Sequence, residues 1–173
     1  MAKDTKILIA GLGVIFILLF VLAFWLVGRA QKPAEEGLSA NSQLAGLVAN
    51  PEFFDLGQVP INGGIVTKEY EVKNATDKKM KLRKIATSCM CTTASIKIGE
   101  KETKYFGMEM HTDKNPVLNM EVNSGEIARV TVKFDPAAHG PEGVGPFDRI
   151  VWLYFSDPTG VKELKFSGKV VSQ

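Results

Sequence analysis

Ala128-Arg129-Val130-Thr131-Val132-Lys133-Phe134 carries the cleanest period of two in the chain. Its apolar residues alternate with Arg129, Thr131 and Lys133, and successive side chains of an extended strand point to opposite faces, so it reads as a half-buried strand. Outward from it the pattern repeats. Tyr70 and Val72 alternate with Glu71 and Lys73 ahead of the turn-like Asn74-Ala75-Thr76-Asp77. Met80 and Leu82 alternate with Lys81 and Arg83, and Leu164 and Phe166 with Lys165 and Ser167. Residues 150–155 are apolar throughout, as a strand buried on both faces would be. Between these runs lie Gly, Pro, Asn and Asp, and no sustained 3.6-residue period occurs beyond the N-terminal segment. The pattern predicts an all-β, antiparallel β-sandwich.

Asp135-Pro136 marks the end of the opening strand, the aspartate bonding local backbone and the proline stopping the ladder. Residues 99–125 and 137–147 form the two long connections, the places where a sandwich usually carries its function. Residues 50–173 are expected to form the domain, with residues 32–49 a small-residue, polar linker; residues 44–48 are apolar enough for an edge strand or a helical turn. Asn74-Ala75-Thr76 satisfies the N-glycosylation pattern, which is too short to carry weight.

Residues 1–31 differ in kind. From residue 7 to residue 28 there is no charge, and as a helix this stretch would be ~33 Å long, enough to cross a hydrocarbon core. It is longer than a signal-peptide core and has Trp25 near its end, so a retained signal anchor is expected, with Gly28-Arg29-Ala30 the competing cleavage signal. Lys3 and Lys6 on its N-terminal side favour a cytoplasmic N-terminus and an extracytoplasmic domain at the cell membrane. Lys3, Lys6 and Arg29 against Asp4 account for the whole formal charge of +2, leaving the remainder neutral, which argues against a nucleic-acid partner.

The chain has 2 cysteines, both in Thr87-Ser88-Cys89-Met90-Cys91-Thr92-Thr93. In an extended segment Cys89 and Cys91 would present two sulfurs to one face. Three readings stay open. A bridge between them would close a very small ring near the upper limit of Cα separation; two small buried residues would fill a strand corner; or two thiolates would hold a metal. Met108, Met110 and His111 in the first long connection, with Met90, Met120 and His139 as further donors, favour the last, because thiolate and thioether ligands select Cu(I). Thioredoxin-like exchange normally uses two intervening residues at a helix N-terminus, and neither is present here.

Phe54-Asp55-Leu56-Gly57, then Tyr70-Glu71-Val72-Lys73-Asn74, Ser88-Cys89-Met90-Cys91-Thr92, Ser124-Gly125-Glu126 and Val132-Lys133-Phe134-Asp135 occur in an order that resembles the bacterial domain-of-unknown-function family of Hydin-like immunoglobulin-fold domains. The resemblance implies an immunoglobulin-like sandwich, usually exported, with no established enzymatic activity. Three departures stand out: Leu56 replaces an aromatic residue, Met90 replaces the usual glycine of the Ser-Cys-x-Cys-Thr turn, and residues 99–122 form a Met-rich insert. No Ser-His-Asp order, carboxylate pair or phosphate-cradling glycine loop is present, so the expectation is a non-enzymatic, membrane-anchored domain that binds Cu(I). The alternative is an adhesion or scaffold module for another cell-envelope protein, with structural cysteines; a third reading is a thiol-disulfide participant.

Overall fold

The computed structural model describes residues 43–110 and 114–172, together with Leu18 and Phe20, both helical. The expected anchor, apart from those two residues, lies outside the described residues, as do most of the expected linker and His111. Among the described residues no helix is long and apolar enough to cross a membrane.

Among the described residues ten strands follow in chain order: β1 (Leu47–Asn50), β2 (Phe53–Pro60), β3 (Val66–Asn74), β4 (Met80–Thr87), β5 (Thr92–Ile98), β6 (Lys101–Glu102), β7 (Met120–Val122), β8 (Ile127–Phe134), β9 (Gly145–Asp157) and β10 (Thr159–Val171). They make two five-stranded sheets, ordered β1-β3-β8-β5-β6 and β2-β10-β9-β4-β7. The expected β-sandwich is thus present as two packed sheets. One pairing departs from the antiparallel expectation: β2 runs parallel to β10, with Phe54 opposite Phe166. These strands lie at opposite ends of the sandwich sequence, so no tight hairpin constrains their direction.

The alternation that defines β8 is realised residue by residue. Ala128, Val130, Val132 and Phe134 are buried, facing Leu153, Phe155, Leu164 and Phe166 of the other sheet within one apolar core. In β9 the continuous apolar run proves to have one core face. Val151, Leu153 and Phe155 are buried, while Ile150, Trp152 and Tyr154 are half-buried on the other side. Polar neighbours cover that side, because both aromatics have polar tips: Trp152 Nε1 donates to Glu163 at 3.2 Å, and Lys84 Nζ stands 4.8 Å from the Tyr154 ring centroid. The core also takes in Leu44 and Leu47, from the segment expected as linker.

Two buried polar residues tie the fold. The Tyr70 hydroxyl in one sheet donates to the Lys165 carbonyl in the other at 2.7 Å, and burial pushes its phenol well above the usual tyrosine range, so it donates as a neutral group. Tyr70→Phe is expected to cost about 1 kcal/mol in chemical denaturation, with unchanged sheet content by circular dichroism, since only the cross-sheet hydrogen bond is lost. Asn74, fully buried at the end of β3, organises the following turn. Its amide nitrogen donates to the Lys78 and Val122 carbonyls and its side-chain oxygen accepts from the Thr76 amide and hydroxyl.

Candidate functional site

β4 and β5 belong to different sheets, and residues 88–91 are the corner by which the chain crosses between them. Such a corner strips backbone groups of their ladder partners, and local polar groups replace them. The Ser88 amide donates to the Ile150 carbonyl at 2.9 Å, and the Ile150 amide returns a bond to Ser88 Oγ at 2.9 Å. The buried Thr87 hydroxyl lies 3.0 Å from the Cys89 carbonyl and 2.9 Å from that of Thr92, with one proton to share. The Thr92 amide donates to the Cys89 carbonyl at 3.1 Å, and the Asp135 amide to the Cys91 carbonyl at 2.8 Å. Serine and threonine flank the cysteines because hydroxyls finish this turn.

The corner is a turn, whereas the two-sulfurs-on-one-face expectation assumed extended chain. Turning brings the Cys89 and Cys91 Cα atoms to 5.2 Å, well inside the range for a bridge rather than at its upper limit, and the two sulfurs are bonded. Cys91 is 3 % and Cys89 8 % exposed, while Met90 at the tip is 63 % exposed.

Two side chains from elsewhere meet the sulfurs. His139, in the connection after β8, places Nε2 3.1 Å from Cys89 Sγ. Arg149, on β9, donates from Nε to Cys91 Sγ at 3.1 Å and from Nη1 to the Asp148 carbonyl at 2.8 Å. Burial lowers the Arg149 guanidinium from its ordinary value and Asp148 partly offsets this; it remains a cation. The Cys91 amide points at Cys89 Sγ from 3.2 Å, and Thr92 Oγ1 lies 3.6 Å from Cys91 Sγ. Cys89 Sγ, Cys91 Sγ and a ring nitrogen of His139 all lie within 4.8 Å of one another.

His139 reaches this position through the local chain. Asp135 Oδ1 accepts from the Ala137 amide at 2.9 Å, closing the strand-ending turn as expected, and a 3-10 turn at Gly140–Gly143 follows. His139 and Arg149 also line a surface cleft of about 430 Å³ with Phe134, Glu142, Val144 and Phe147 among its other walls.

Of the donors expected from sequence, the fold gathers Cys89, Cys91 and His139. The insert does turn back beside the corner: Phe106 and Ala94 exchange backbone hydrogen bonds at 2.8 Å, pairing the insert with β5. Beyond that point Met108 and Met110 are 38 % and 60 % exposed. They flank Glu109, which is held by Lys84 Nζ at 2.9 Å and the Asn115 amide at 3.0 Å. Met120, in β7, packs half-buried against the core. Arg149 is the residue that sequence reasoning missed. Its one signal was a charge immediately before an apolar strand, which is indistinguishable from an ordinary strand boundary.

Residues 47–116 match the model of the family described as "Protein of unknown function (DUF1573)". No curated protein matches the chain. Among solved structures, the fold is similar to a protein of unknown function from Porphyromonas gingivalis W83, at 16 % identity and a TM-score of 0.51, over 79 % of this chain and 51 % of that one. The chain thus spans about half the length of that protein. The ASH/PapD-like domain 7 of human CEP192 is similar at 14 % identity and a TM-score of 0.43, over 82 % of this chain and 93 % of that one. The chain is therefore a two-sheet β-sandwich with a match to a family of unknown function over the half of the domain that contains the Cys-Met-Cys corner.

Proposed function

We infer that this chain is a non-enzymatic, extracytoplasmic metal-binding domain, tethered to the cell membrane by its apolar residues 7–28, whose reduced cysteines hold a soft ion, Cu(I) foremost. The observation that carries this reading is the convergence of Cys89, Cys91 and His139 from two separate parts of the chain to within 4.8 Å. Two thiolates and an imidazole form a soft donor set, suited to Cu(I) and also offered by some zinc sites. A Cu(I) ion between two thiolates leaves one net negative charge, and the Arg149 guanidinium already faces the Cys91 sulfur to meet it. The bonded state of the pair fits an oxidising compartment, and reduction would free both sulfurs for metal. Met108, Met110 and His111 are proposed as additional donors on the adjoining insert.

A titration of the reduced full chain in detergent micelles, with Cu(I) competing against a chromogenic chelator, tests this. Cys89→Ser is expected to weaken affinity by more than ~100-fold and His139→Ala by at least ~10-fold, while the chain with its bridge intact binds nothing tightly. Met108→Leu with Met110→Leu separates a three-donor site, which would be unaffected, from one that includes the insert. An affinity no tighter than that of an exposed thiol would sink the metal reading.

The second reading, a scaffold module for a cell-envelope protein, draws support from the same corner. The Thr87 hydroxyl, bonded to the Thr92 carbonyl, would tie the end of β4 to the start of β5, and the bridge would stiffen the corner between the two sheets. It is the reading that survives if the copper titration fails and loss of the bridge lowers stability.

A further inference from the structure

The two sulfurs of the bridge have unequal surroundings. Cys91 is the more buried, and its sulfur accepts a hydrogen bond from a guanidinium fixed in place by the Asp148 carbonyl and by the Phe147 ring, 5.7 Å from the guanidinium carbon. Cys89 faces His139, an exposed residue of a surface connection, and is followed in the chain by the exposed Met90. In a disulfide approached by a thiolate, the sulfur that is not attacked must accept an electron pair, and exchange is faster when that leaving sulfur is stabilised as an anion. Exchange proteins commonly meet this charge with a helix N-terminus or a nearby cation. Here there is no helix at the corner, and Arg149 stands where the charge would develop.

We propose that the Cys89–Cys91 bridge oxidises a dithiol of a partner protein in the cell envelope, with Cys89 as the sulfur attacked and Cys91 as the leaving sulfur. The proposal uses the sulfurs of the metal reading but does not rest on any metal being bound. In the first step a thiolate of the partner bonds to Cys89 Sγ, the Cys89–Cys91 bond breaks, and its electron pair goes to Cys91 Sγ, facing the Arg149 Nε–H. In the second step the partner's other thiolate attacks its own sulfur in the mixed disulfide, and the electron pair of that bond goes to Cys89 Sγ, beside His139. The partner loses two electrons and two protons and gains a disulfide; Cys89 and Cys91 take up two electrons and, through solvent, two protons. The cleft that shares His139 and Arg149 offers the partner's chain a seat beside the reacting pair. In this stoichiometric exchange Arg149 is the side chain in direct contact with the leaving sulfur.

The test uses the full chain in detergent micelles with copper and zinc chelators present and dithiothreitol as the dithiol probe, following loss of the bridge by alkylation and mass spectrometry. Wild-type reduction is expected to outpace that of oxidised glutathione under the same conditions. Arg149→Gln should slow it roughly tenfold, and Arg149→Lys should restore most of the rate, because the cation rather than the packing is at stake. In single-cysteine chains treated with an aromatic disulfide reagent at alkaline pH, where both thiols are ionised and access decides the rate, Cys91→Ser should be captured at Cys89 faster than Cys89→Ser is captured at Cys91. A wild-type rate no faster than glutathione, an Arg149→Gln rate equal to wild type, or faster capture at Cys91 would each overturn the proposal. Because chelators are present throughout, and the copper titration starts from reduced chain, each reading fails or stands separately.

Discussion

Phe134→Ala is expected to lower the stability of the domain by about 3–5 kcal/mol, the range for removing a large buried aromatic side chain. Phe134 ends β8 and is 3 % exposed. Its ring stacks on Phe147 with centroids 4.4 Å apart and meets Phe166 edge-on at 5.7 Å, joining side chains from both sheets. Truncation therefore removes the transfer energy of the ring, leaves a cavity, and forfeits the aromatic pair contacts, with little chance for two anchored neighbours to collapse into the space. The same residue underlies the sulfur corner, since the next amide, that of Asp135, donates to the Cys91 carbonyl, and Phe147 lies beneath Arg149. Guanidinium denaturation monitored by tryptophan fluorescence measures the loss. Phe134→Leu should recover more than half of it. A Phe134→Ala loss below about 1 kcal/mol would mean that the aromatic cluster does not form.

Asn74→Ala should follow at about 2–4 kcal/mol. The Asn74 side chain is buried and uses all its bonding capacity, donating to Lys78 O at 2.7 Å and Val122 O at 3.0 Å while accepting from the Thr76 amide at 3.1 Å and hydroxyl at 2.7 Å. Alanine would leave these partners short of bonds where water has poor access, and that desolvation penalty exceeds the modest net worth of each bond. The turn has no spare room to readjust. Gly46 sits at φ +89°, its carbonyl accepts from the Ala75 amide, and a Cβ there would collide with the Thr76 methyl. Asn74→Asp is expected to be at least as damaging, because a carboxylate would face two carbonyl oxygens. Thermal unfolding of both variants, followed by circular dichroism, checks the order. A wild-type melting temperature for Asn74→Ala would refute this account of the turn. The buried, fully engaged amide also removes the glycosylation pattern at Asn74-Ala75-Thr76 from consideration in the folded domain.

Much of the architecture was legible in the sequence because alternation is a local signal: a side chain's face in a strand follows from its position alone, as in Ala128, Val130, Val132 and Phe134. The run at residues 150–155 misled in one respect. Hydropathy does not separate a residue buried in the core from an amphipathic aromatic lying under a lysine, and Trp152 and Tyr154 are of the second kind.

For the site, sequence by itself determined that two sulfurs lie one residue apart, flanked by serine and threonine; that these hydroxyls close a turn at a corner between sheets came from the tertiary structure. Only the tertiary structure decided what meets them. His139 lies 50 residues from Cys89 and Arg149 lies 58 from Cys91, and no local period encodes those distances. They arise because β4 leads into a corner between sheets while β8 and β9 bring their connecting loop and first residues to the same corner. Sheet topology, a consequence of which apolar faces pack together, thus makes two cysteines one residue apart a site with a cation on one sulfur and an imidazole on the other.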